Sequence, residues 1–303
     1  MKYRTLGNIG LKLSLPGLAP ASVPGDGTAI LRRPGTSLRP GLVLAGAFVL
    51  LLLIAALAPG LLTSVDPLEA SARQAYRAPD AVYWLGTDEN GRDVLSRLIH
   101  GVRPSLLMGL TATVMGLGVG TVLGLLAGLG PRWIDAAVMR LVDVLLAFPD
   151  LLLALVIITF FGQGTLNLII AVGIASVPRY ARLVRAQTRA VRGAAYVEAA
   201  TTLGLSRAAV IRRHVLPNAI KPILILATIG IGGNITAGAA LSFLGFGAPP
   251  PAPEWGTMLA LGRNFLANAW WLVAWPALAI TFTVISITAI GRELLRRSEG
   301  KRL

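Results

Sequence analysis

Few residues in this chain could carry covalent chemistry. Its 303 residues include no cysteine and only two histidines, His100 and His214, which removes thiolate nucleophiles and leaves too few imidazoles for a zinc site of usual spacing. The four lysines, Lys2, Lys12, Lys221 and Lys301, lack the glycine-rich run and following Ser or Thr of a phosphate-binding loop, so nucleotide hydrolysis is not expected here. What remains is recognition chemistry. Glu198 is the single acid among nine bases between Arg179 and Lys221, and Asp150 and Asn234 interrupt long apolar runs. Asp88, Arg92, Asp93, Glu254 and Trp255 sit in two turn-rich segments between apolar runs.

The 179–221 stretch must lie outside hydrocarbon. Each arginine at a bilayer centre costs roughly 2.5–3.5 kcal/mol, so burying the stretch would cost on the order of 20 kcal/mol. Arg182, Arg185, Arg189 and Arg192 are spaced three, four and three apart, which puts them on one helix face. Anchoring against anionic lipid explains such a face; nucleic acid is not expected, because no aromatic stacking platform accompanies it. Next, Tyr196 to Leu203 suits two helical turns, with Gly204 able to end them in the left-handed conformation. Ser206 is placed to cap a second short helix, Arg207 to Val215, expected to stop before Pro217. The product is a protruding knuckle whose Ala199 and Ala200 give it a thin body and whose Glu198 offers a charged contact.

Apolar residues make up 54% of the chain and charged ones 14%, with a mean hydropathy of +0.70. That is an all-α polytopic membrane protein rather than a soluble core. Runs long enough to cross a bilayer of about 30 Å occur near Gly41–Leu62, Ser105–Leu129, Met139–Phe161, Leu166–Pro178, Ile220–Phe246 and Trp270–Ile290, giving about six transmembrane helices. The fourth is short unless it continues beyond Pro178. Residues 1–39 read as a loose tail with six bases and one acid, and 63–104 as an outer segment with five bases and six acids. The positive-inside rule puts that tail, the 179–217 loop and the basic 292–303 tail in the cytosol. The domain plan is therefore a tail (1–39), a first helix (40–62), an extracytoplasmic segment with an amphipathic helix on the membrane surface (63–104), a core (105–291) and a C-terminal tail.

Gly116, Gly120, Gly124 and Gly128 recur every fourth residue, so one helix face admits close approach, within the chain or to a subunit. Gly230, Gly232, Gly233 and Gly238 beside Asn234 suit a helix that bends or shifts. Asp150 follows Pro149 near the middle of the third run; a carboxylate there lines a pathway or makes a local pair or cap. Asp143 is expected to pair with Arg140. In the outer segment Asp88, Asn90 and Gly91 only faintly suggest a calcium loop, since Ile99 stands where the bidentate glutamate belongs. Pro249, Pro250, Pro251 and Pro253 stiffen a second outer loop ending at Glu254 and Trp255, which suits a gate, a receptor contact or simple loop stiffening.

Glu198-Ala199-Ala200 with Gly204 and Leu216-Pro217 resembles the coupling loop, or EAA motif, of ABC importer permeases, with His214 where the general pattern has isoleucine. Leu85 to Arg97 and Phe243 to Gly256 resemble the C-type permease of dipeptide and oligopeptide (peptide/nickel) importers, over about residues 40–291. The C-terminal Gly291-Arg292-Glu293-Leu294-Leu295-Arg296 departs from the family's acidic ending. The resemblance implies docking of an ATPase on Glu198, Ala199, Ala200, Thr201, Leu203, Gly204 and Leu205, with His214, Leu216 and Pro217 closing the loop. It implies a second homologous permease, two ATPase subunits or domains that bind ATP and Mg, and an extracytoplasmic substrate-binding protein. It also implies a multi-pass place in the inner membrane of a bacterial-type cell and no enzyme activity in this chain. Asp150 and Asn234 are candidate pathway residues; Asp88, Arg92, Asp93, Glu254 and Trp255 are candidate gate or receptor contacts. An ion-coupled secondary transporter or channel explains the spans equally but gives no reason for the knuckle.

Overall fold

A computed structural model describes residues 40–299; the 1–39 tail and the last four residues lie outside the described part. The apolar run after Pro40 forms α1 (Pro40–Leu57), shorter than expected because Pro59 starts a separate 3-10 turn. The next helix, α2 (Val94–Leu129), runs 36 residues through Pro104. The amphipathic outer helix and the second span are thus one element, which corrects the expectation of a separate helix on the membrane surface. Its first turns are buried against protein, with Val94 and Val102 packed among Leu52, Trp255, Trp271 and Leu272.

The third apolar run is two helices. They are α3 (Arg132–Leu146) and α4 (Asp150–Phe161), bent by 94° at the Pro149 break. A proline disfavours helical backbone before it and removes one donor, so the chain turns there. The helix α5 (Thr165–Arg192) continues through Pro178, as the short fourth run requires. Two short helices, α6 (Ala195–Thr202) and α7 (Arg207–Val210), follow. A π turn (Ile211–Val215) then feeds α8 (Leu216–Leu241). Pro217 therefore does not stop the helix. The Leu216 N–H reaches back five residues to the Ile211 carbonyl, and this wider turn seats Pro217 at the start of α8, where a proline N–H is not missed. Beyond a second π turn, α9 (Trp255–Gly262) and α10 (Trp271–Glu299) complete the described chain. Among the described residues five helices are long and apolar enough to cross a membrane, six if α3 and α4 make one span.

The glycine series is an intramolecular seam. Gly116, Gly120, Gly124 and Gly128 of α2 face Ser176, Tyr180, Val184 and Thr188 of α5, a constant offset of 60 positions between helices that run the same way. A Cβ on Gly120 would lie 2.6 Å from Tyr180 Cβ and 2.9 Å from the Val177 carbonyl oxygen.

The basic face of α5 is a clamp rather than a free lipid-facing surface. Arg185 holds Asp135 of α3 through Nε, on Oδ1, and Nη2, at 2.9 Å from Oδ2; Arg189 reaches the same Oδ2 at 2.6 Å, and Arg182 pairs with Asp143. Asp143 thus chooses Arg182 over Arg140. Charges four positions apart on one helix are legible in a sequence; a pair 39 or 50 positions apart is not.

Candidate functional site

The outer segment forms a cap over the ends of α2, α9 and α10. Asp88 accepts backbone N–H bonds from Asn90 and Arg92, both at 2.9 Å, and faces Arg97 Nε at 3.4 Å. Arg97, 3% exposed, also donates at 3.1 Å to the carbonyls of Pro67 and Pro251. One buried guanidinium so joins the two outer runs that the sequence separates by some 150 residues. The Asp88 carboxylate is occupied by amides and arginines, and the described residues contain no cluster of three or more ligating side chains. Glu254 caps α9, its two carboxylate oxygens accepting from Gly256 N at 2.8 Å and Thr257 N at 2.9 Å. The Trp255 indole donates to the Leu98 carbonyl at 3.0 Å.

Asp88, Asp93, Glu254 and Trp255 are all buried, and Arg92 is only slightly exposed. The structure brings the five expected outer contact residues into one assembly but turns these side chains inward, as caps, anchors and ties. Asp93 caps α2 by accepting from the Ser96 N–H at 2.9 Å. Burial pushes its carboxyl above the ordinary aspartate range, against the pull of the Ser96 and Leu95 N–H groups. A folded-state value above the unfolded one means this residue's contribution to stability is fully present below the unfolded value and fades as pH rises through the folded one. Asp93→Asn keeps the cap and is expected to remove that pH dependence. Asp93→Ala should lose about 1 kcal/mol; thermal unfolding at pH 4 and pH 7 reads both.

At the opposite end of α5, α6 and α7 form the knuckle. Gly204 takes φ +84°, and the Ser206 hydroxyl accepts from Ala209 N at 3.3 Å to cap α7. Val197, Ala200, Val210 and Val215 pack together as its core. Ala200 therefore belongs to the inside of the knuckle, while Glu198, Ala199, Thr201, Leu203 and Gly204 are exposed and Leu205 is half-buried. Leu203 stands 81% exposed at the tip. A groove of about 520 Å³ runs beside it, lined by Leu129, Glu198, Thr201 and Arg207 among others. His214 stacks obliquely on Tyr196 at 6.4 Å, Leu216 is half-buried and Pro217 exposed.

Between knuckle and cap, α4, α5 and α8 line an open-sided cavity of about 320 Å³ that includes both candidate pathway residues, Asp150 and Asn234. Asp150 is the first residue of α4, at the bend rather than inside a continuous span. It faces Arg179 Nη1 at 3.9 Å, with both side chains about half exposed. Sequence reasoning counted Arg179 with the cytosolic bases and missed its place in this cavity. Asn234 is buried and donates to Thr113 Oγ1 at 2.9 Å.

An all-helical membrane core, a knuckle projecting from it and a mostly apolar cavity holding Asp150, Arg179 and Asn234 fit a membrane-embedded transport subunit. Residues 120–301 match the family model described as binding-protein-dependent transport system inner membrane component. The chain belongs to that family: it is a transmembrane permease, and the expectation raised by the Glu198, Gly86 and Pro249 runs is borne out. It is 41% identical to a dipeptide transport system permease protein of Alkalihalophilus pseudofirmus, over 83% of this chain and 81% of that one. Identity is 42% to a di/tripeptide transport system permease protein of Pseudomonas aeruginosa (80% and 82% covered). It is 40% to a glutathione transport system permease protein of Pectobacterium atrosepticum (82% and 83% covered). In fold it is similar to the inward-facing MetNI methionine ABC transporter, with TM-score 0.56 and 20% identity over 66% of this chain and 95% of that chain.

Proposed function

We propose that this permease moves short peptides inward across the cell membrane as half of an ATP-driven importer. A second homologous permease completes the path, an extracytoplasmic binding protein delivers cargo, and two ATPase subunits or domains, which hold ATP and Mg, grip the knuckle from the cytosol, where both termini of this chain lie. The carrying observation is the exposed Glu198, Ala199 and Leu203 surface at the Gly204 turn, set between the end of α5 and the continuous helix leading into α8. Rigid-body movement of the ATPases would be passed to both helices and exchange access from one side to the other. The named cargo of the relatives, dipeptide, di/tripeptide and glutathione, supports the peptide class.

The test is uptake of a labelled dipeptide into vesicles holding the assembled transporter. Accumulation should need ATP, the ATPases and the binding protein together. Accumulation by this chain alone, driven by an ion gradient without ATP, would overturn the reading.

A further inference from the structure

We propose that Asp150 and Arg179 are a charge pair which a zwitterionic cargo opens, its ammonium taken by Asp150 and its carboxylate by Arg179. The inference rests on the peptide-importer reading above and assigns how the central cavity selects its cargo.

Three observations carry it. First, the pair lies in the cavity between α4, α5 and α8, whose wall is otherwise mostly small or apolar, with Leu151, Ala154, Val172 and Ala175. The two charges balance each other while the cavity is open; once a ligand fills it and shuts out solvent, a charge left alone among such residues is costly.

Second, the pair is loose. At 3.9 Å it is the longest ion pair among the described residues, whereas the next arginines along α5 are held closely by Asp143 and Asp135. Half-exposed pairs of this kind contribute little. Separating them costs little, and Arg179 has somewhere to lean, since its guanidinium carbon already lies 5.8 Å from the centre of the Tyr180 ring.

Third, the cavity offers polar groups suited to a peptide bond between the two charged ends. The Thr113 hydroxyl donates to the Gly109 carbonyl at 2.7 Å, so its oxygen accepts from Asn234 Nδ2. That fixes the orientation of the Asn234 amide and leaves Oδ1 to accept a hydrogen bond. The Thr236 hydroxyl, which donates to the Gly232 carbonyl at 3.0 Å, adds a second acceptor.

Exchange of partners then selects by charge. A peptide with both ends free replaces one ion pair with two. A peptide blocked at either end breaks the pair and leaves one charge without a partner, so rejection comes from the group that is stranded.

The absence of cysteine makes a direct test available. Thr236→Cys, at an exposed position on the cavity wall, gives this chain a single thiol in the assembled, nucleotide-free transporter without binding protein. Alanyl-alanine is expected to slow alkylation of that thiol, while N-acetyl-alanyl-alanine and alanyl-alanine amide should need at least tenfold higher concentration. Asp150→Asn should erase the distinction between free and acetylated peptide, and Arg179→Gln that between free and amidated peptide. Ala237→Cys serves identically if Thr236→Cys fails to assemble. Equal protection by free and blocked peptides, or variants that still discriminate, would overturn the proposal. So would no protection by any peptide in a transporter that takes peptides up, which leaves the importer reading standing. A wild-type transporter that takes up no peptide ends both.

Discussion

A permease carrying Gly120→Leu together with Gly124→Leu is expected not to accumulate as a folded protein. Even a Cβ at Gly124 would lie 2.6 Å from the Ala181 carbonyl oxygen, a backbone atom that cannot swing aside. Overpacking a core by a few methylenes costs about 1–3 kcal/mol per site, and here the obstruction includes the partner helix's main chain, so that figure is a floor. Two adjacent sites approach the whole stability of an ordinary domain, about 5–15 kcal/mol. Gly118→Ala is the control, because nothing lies within 4 Å of its Cβ position, and it should be neutral or slightly stabilising. Size-exclusion elution and thermal unfolding in detergent measure both. Normal elution of the double leucine variant would mean that the α2–α5 seam is not what holds the core together.

Leu203→Ser and Glu198→Ala should each weaken capture of the ATPase about tenfold without impairing membrane insertion. Leu203 is nearly fully exposed at the knuckle tip, and burying a leucine side chain in a partner contributes about 1.5–3 kcal/mol. Loss of 1.4 kcal/mol is tenfold in affinity. Gly204→Val acts differently. Nothing obstructs the new side chain, but φ +84° costs an L-residue roughly 1–2 kcal/mol, so the knuckle itself is distorted. Ala200→Asp, in the packed interior of the knuckle, should lower thermal stability as well as docking. Co-purification of the ATPase with each variant, alongside its melting temperature, separates contact from support. Undiminished co-purification with Leu203→Ser and Glu198→Ala would reject the docking surface.

Local signals read well from the sequence. Gly204 in the left-handed region and the Ser206 cap depend on a few neighbouring residues, and both are in the structure; the end of the fourth run, left open at Pro178, lies at Arg192. Direction was not legible. Hydropathy averages over Met139–Phe161 and records no bend, so the 94° turn that sets Asp150 at the head of α4 is invisible to it. Proline was read too strictly: Pro104 lies within one long helix, and the π turn before Pro217 accommodates another. The remaining misses are long-range. Nothing near Arg185 in sequence points to Asp135, and nothing near Arg179 points to Asp150. Likewise the outer polar residues looked like surface because their buried partners come from distant segments: Arg97 for Asp88, and the Leu98 carbonyl for Trp255.

The unbroken helical path through Pro217 gives the molecule a push-rod. From Arg207 at the knuckle to Leu241 it runs through α7, the π turn and α8, about 50 Å at roughly 1.5 Å per residue, and Gly245 at φ +95° kinks the chain beyond it. A rod of that length turns a small tilt at its knuckle end into several ångströms of sideways travel at its far end. Asn234 lies along the shaft, so the cavity wall is swept by the same stroke.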